Sequence, residues 1–169
     1  KSATGFTLVE LLVIIAIMAL VGTYVFANYK SFGEDQNFKN AVLDIQSYLR
    51  TAQTNATTNV KCNTQFGATW QVEFFNATTV NLKCSASPTP QKILTLGTNI
   101  TVDSISGGST CPVAPPFVSP YPTISFTSVS GKINLGGANC TSLTITLRNT
   151  KTGSTKSLII EQGGGIYEQ

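Results

Sequence analysis

The sequence predicts an α+β fold: a long N-terminal α-helix, part of it of membrane-spanning character, carrying a globular head of mostly antiparallel β-sheet. Three observations predict it. An uncharged apolar run of 17 residues, 11–27, lies near the N-terminus. A stretch with helical spacing of apolar residues follows, and no proline occurs before Pro88. Beyond it, about 110 residues alternate apolar and polar side chains in short runs, enough chain for a core of its own.

Extended backwards past Glu10 to Phe6, the apolar segment has 22 residues. At 1.5 Å per residue it makes about 33 Å of helix, against a hydrocarbon core of about 30 Å. Lys1 and Lys30 flank it, too few charges to set its orientation. Next, Phe32, Phe38, Val42, Ile45 and Leu49, thickened by Ala41, Tyr48 and Ala52, form one stripe, with Asp35, Lys39, Asp44, Gln46 and Arg50 between them. That is an amphipathic helix by period. It fades near residues 55–59, so one nearly continuous helix over about 6–58, about 80 Å long, is expected. Gly22 and Gly33 are its weak points, each costing about 1 kcal/mol in a helix.

The head opens with a hairpin signal, 69–75 and 79–84 joined by Asn76-Ala77-Thr78. Further strands are expected at 59–63, 93–96, 99–105, 123–128, 132–135, 142–149, 155–162 and 165–168, with a turn at 151–154. Five of the seven prolines fall between Ser106 and Pro122, which reads as a loop. Trp70 and Phe74 are expected in the core. Glu34, Asp35 and Glu73 are read as solvated charges, too isolated for a catalytic pair or a calcium loop.

Only 11% of residues are charged, against about 25% in typical soluble domains, while Ser, Thr and Asn supply 51 of the 169 residues. The surface is therefore largely neutral and polar. The net charge of +3 is scattered, with no basic patch for nucleic acid or anionic lipid. There is no histidine, which excludes Ser-His-Asp and Cys-His nucleophiles and His-ligated zinc. No catalytic, cofactor-binding or metal-ligating set emerges, and the chain is not read as an enzyme. Four Asn-x-Thr matches, at Asn55, Asn76, Asn99 and Asn139, arise by chance in so Thr- and Asn-rich a chain.

Cys62, Cys84, Cys111 and Cys140 all follow the apolar segment and contain no CxxC, so an exported head with two disulfides is expected. Three connectivities are possible. Cys62–Cys84 with Cys111–Cys140 is favoured, because the first pair would share one end of a small sheet and the second would pin the Pro-rich loop.

Gly5-Phe6-Thr7-Leu8-Val9-Glu10, followed at once by the apolar run, resembles the N-terminal signature of type IV pilins and of the pseudopilins of type II secretion. The resemblance implies cleavage by a prepilin peptidase between Gly5 and Phe6, N-methylation of the Phe6 amine, and an assembly role for Glu10. It divides the chain into a leader remnant (1–5), a hydrophobic membrane and filament-core helix (6–32), an amphipathic helix packing on the head (33–58) and a β-rich head (59–169). A carboxylate in an apolar span is unfavourable and needs a partner. The Phe6 amine, of the same chain or of a neighbour, is the candidate; complementing the helix dipole is the simpler role. An ordinary secretory signal, with Val25 and Ala27 at the cleavage-site positions, fits less well, since the run exceeds about 7–15 residues. Many pilins break this helix with a proline; here Gly22 is the candidate flexible point.

The helix end, the strand with Cys62 and the Trp-containing strand look like the minor pilin and pseudopilin H-type subgroup, in which two sheets pack. Some members bind DNA through a basic C-terminus; Gly163–Gln169 holds no Lys or Arg, so no nucleic acid is predicted as a partner. The expected function is a structural subunit of a helical homopolymer, held in the cytoplasmic membrane before assembly and in an extracellular filament afterwards. An assembly ATPase and an inner-membrane platform protein are the implied partners. The alternatives are a minor pilin or pseudopilin, and a membrane-tethered binding module.

Overall fold

The computed structural model describes residues 5–107, 111, 122–130, 132–135 and 140–169, without the side chains of 25–31. The chain forms two compact units divided after Asn37. One helix, α1 (Leu8–Thr57), is the only helix among the described residues and contributes to both.

In the first unit, α1 starts at a threonine cap and stays helical through Gly22 and Thr23, whose hydroxyl bonds the Leu20 carbonyl at 2.8 Å. Phe32, placed by its spacing on the apolar stripe, is 61% exposed and is not part of the core. The spacing of six to Phe38 breaks the three-and-four rhythm that keeps residues on one face.

In the second unit the stripe is Phe38, Ala41, Val42, Ile45, Leu49, Ala52 and Ala56, all buried in one core with both sheets. The helix ends in a Schellman motif: Asn59 sits at φ 54°, its N–H bonds Ala56 O, and Val60 N–H bonds Asn55 O at 2.9 Å. This overturns the strand expected at 59–63. Asn63 is also left-handed, at φ 52°, and the segment makes only an isolated bridge between Cys62 and Gln65. Asparagine tolerates that conformation, and two such residues four apart turn the chain instead of extending it.

Among the described residues nine strands follow: β1 (Trp70–Asn76), β2 (Thr79–Cys84), β3 (Lys92–Thr95), β4 (Ile100–Gly107), β5 (Thr123–Phe126), β6 (Ile133–Asn134), β7 (Ser142–Asn149), β8 (Thr155–Glu161) and β9 (Ile166–Glu168). They form two sheets, ordered β3-β2-β1-β5-β6 and β4-β7-β8-β9, with every pairing antiparallel. Alternation sets the register: Trp70, Val72 and Phe74 are buried and face Cys84, Leu82 and Val80 across the hairpin. The chain leaves the first sheet after β3, builds β4 in the second, and returns for β5 and β6. Leu96 N–H, just after β3, bonds Thr78 O within the first sheet, and Val102 N–H of β4 bonds Ala77 O from the second, so the β1–β2 turn serves both.

Buried Asn149 closes the β7–β8 turn, its side-chain oxygen accepting from Lys151 N–H at 3.0 Å and Thr152 N–H at 3.2 Å. Gly153, at φ 74°, supplies the left-handed step. On the next hairpin, edge strand β9 is held by α1. Gln46 and Arg50 donate to Ile166 O at 3.0 and 3.3 Å, and Gln53 donates to Gly164 O at 3.4 Å.

Two disulfides join Cys62 to Cys84 and Cys111 to Cys140, with Cα separations of 6.2 and 4.6 Å. The Pro-rich loop expected between 106 and 122 lies largely outside the described residues; β4 itself runs on to Gly107. Glu73 is not a solvated charge. Its side chain is 13% exposed, bonded to Lys83 Nζ at 2.7 Å and to buried Asn81 Nδ2 at 3.1 Å.

Candidate assembly site

The sequence singles out Gly5, Phe6, Glu10 and Gly22. Gly5 and Phe6 precede the helix, and Phe6 is 75% exposed. Thr7 is the cap: its hydroxyl accepts from Glu10 N–H at 3.3 Å, and its carbonyl accepts from Leu11 N–H at 3.2 Å. Glu10 answers with Oε2, which accepts from Thr7 N–H at 3.4 Å and Thr7 Oγ1–H at 3.3 Å. This is a capping box, in which two orphan donors of the first turn are satisfied reciprocally. The Thr-x-x-Glu signal stood in the sequence, and a reading centred on Phe6 and Glu10 passed over Thr7.

Glu10 therefore has a partner inside its own chain, and its charge also lies favourably at the positive end of the helix. All three bonds are at or beyond the long end of the usual range, and therefore weak. A cationic amine would bond the same carboxylate at about 2.7–2.9 Å and roughly twice as strongly. The arrangement holds the carboxylate in place and leaves it exchangeable.

From Phe6 to Tyr24 the large apolar side chains are exposed on every face of the helix, Leu8, Met18 and Leu20 each by 70% or more. Covering one such side chain is worth about 1.5–3 kcal/mol, so the segment strongly favours lipid or other helices over water. Among the described residues no helix is long and apolar enough to cross a membrane. In the sequence the apolar run continues through Val25, Phe26 and Ala27, whose side chains lie outside those residues. At Gly22 a Cβ would meet nothing within 4 Å, so the small residue is not required by packing within this chain.

Residues 1–26 match the family described as the prokaryotic N-terminal methylation motif. No curated protein and no solved structure gives a significant match to the chain. The N-terminal segment fits the class III signal of type IV pilins and pseudopilins, and that motif implies prepilin-peptidase processing and self-assembly.

Proposed function

We propose that the chain is a structural subunit of a type IV pilus-like extracellular filament that polymerises through its N-terminal helix. The observation that carries this reading is Gly5-Phe6 followed by a capped Glu10 and a helix apolar on every face. Residues 6–32 hold the subunit in the cytoplasmic membrane and later bundle with other copies, 33–58 pack on the head, and 59–169 form the exposed body. Cleavage between Gly5 and Phe6 frees an amine four residues from Glu10, and in the bundle the amine of an adjacent copy replaces Thr7 as its partner. Lipid tails are as apolar as the helix, so moving into the bundle brings little hydrophobic gain; packing and this charge pair supply the specificity. Gly22 is the flexible point, where neighbouring helices cover freed backbone groups. Head-to-tail contacts that do not close give an open filament. An assembly ATPase and an inner-membrane platform protein supply the extraction work.

Mass spectrometry on filaments sheared from the native cell tests this. The expected result is that this chain dominates and begins at an N-methylated Phe6. Its presence in traces only moves it to a minor pilin or pseudopilin role. Filaments formed equally well by Glu10→Ala would sink the assembly mechanism and leave a membrane-tethered binding module.

A further inference from the structure

Between α1 and the β8–β9 hairpin lies a cavity of about 500 Å³ lined by Arg50, Gln53, Thr54, Gly165, Ile166 and Tyr167. Its size falls within the range of small-molecule sites, about 300–1,000 Å³. We propose that this cavity binds a carboxylate-bearing monosaccharide, with Arg50 holding the carboxylate and Tyr167 lying against the sugar ring. The proposal is independent of the filament reading.

Four features select that chemistry. Arg50 makes no ion pair among the described residues; it donates to Ile166 O at 3.3 Å and has five N–H groups in all. An unpaired guanidinium in a recess suits a planar carboxylate, which it meets with two parallel bonds. It is the lone cation of the lining, which favours a single negative charge over a doubly charged phosphate. The nearby acid, Glu161, already accepts the Tyr167 hydroxyl at 2.8 Å. The remaining lining gives amide, hydroxyl and backbone groups together with one half-exposed aromatic ring. A hydroxyl-rich ring meets those groups with hydrogen bonds and lays its C–H face on the aromatic, whereas an apolar ligand finds little wall to bury against.

The test is a ligand-observed NMR titration of the full chain in detergent micelles with D-galacturonate, D-galactose and acetate. Galacturonate should bind saturably, and both galactose and acetate about tenfold or more weakly, the loss set by one charge-assisted contact. Arg50→Gln should lower galacturonate affinity by about the same factor. Tyr167→Leu should weaken galacturonate and leave acetate unchanged. Thr54→Glu, at an exposed helical position, should abolish binding without touching the contacts of β9, and it serves as the test should Arg50→Gln fail to fold. The proposal is overturned if galacturonate does not saturate, if galactose matches it, or if both the Arg50 and Thr54 variants bind as the parent does.

Discussion

At the scale of single residues, the Thr7–Glu10 pair has an effect separable from assembly. Thr7→Ala removes the cap and should cost the first turn about 1 kcal/mol. Amide exchange should then accelerate at Glu10 and Leu11 and stay unchanged around Leu49. A second residue-scale prediction concerns Tyr167. The hydrogen bond to Glu161 comes first in raising its phenol above the ordinary 10.0, followed by partial desolvation and the Glu161 charge. The bond belongs to the neutral phenol. Its contribution is therefore complete below the ordinary value and is lost as pH rises through the raised one. Ultraviolet titration of Glu161→Gln should show one tyrosine moving back toward 10.0, and an unchanged curve would refute the coupling. Tyr48 also titrates high, from burial and then from the Asp44 charge, and should not respond. Glu73 shows what sequence leaves hidden at this scale. Its neighbours in the chain carry no charge, and its partners Asn81 and Lys83 reach it only through the β1–β2 register.

Elements were legible where a local period decides them. Strands with strict alternation, such as β1, β7 and β8, carry their buried face in the sequence, and the amphipathic part of α1 carries its stripe. The failures have local causes. Phe32 shares the apolar character of the stripe without its phase, and residues 59–63 look extended until the left-handed asparagines are recognised. Mutation separates stripe from surface. Leu49→Ala should destabilise the head by about 2–5 kcal/mol in urea unfolding, whereas Phe32→Ala should stay within about 0.5 kcal/mol. Equal effects would mean that the helical face has been misassigned. Gly107, at the end of β4, has a similarly sharp requirement. A Cβ there would collide with the Cys111 side chain and lie 3.3 Å from Ser142 O. Gly107→Ala should therefore lower the thermal midpoint, and should do so less once the Cys111–Cys140 bond is reduced.

For the whole molecule, the two disulfides close segments with sequence separations of 22 and 29 residues. In the chain-entropy account each is worth about 3–4 kcal/mol, so Cys62→Ser with Cys84→Ser should lower the stability of the head by about that amount. A loss well under 1 kcal/mol would place the constraint elsewhere. The α+β class could be read ahead of the structure because an apolar helix and alternating runs differ in period. The interleaving of the two sheets could not, since nothing local tells β4 to pair with β7 while β5 returns to β1. The cavity beside Arg50 was invisible for the same reason: its two walls are more than a hundred residues apart in the chain.

That separation sets a clock on folding. Gln46, Arg50 and Gln53 donate to carbonyls 120, 116 and 111 residues downstream. A chain made from its N-terminus produces the helix first and its docking strand last. Until the last hairpin exists, Gln46, Arg50 and Gln53 lack these acceptors, and contacts so distant along the chain form slowly. Newly made chains should pass through a protease-sensitive interval that closes only when the final hairpin is complete. Pulse-labelled chains halted before Gly164 should stay cleavable near Arg50, while full-length chains become resistant there.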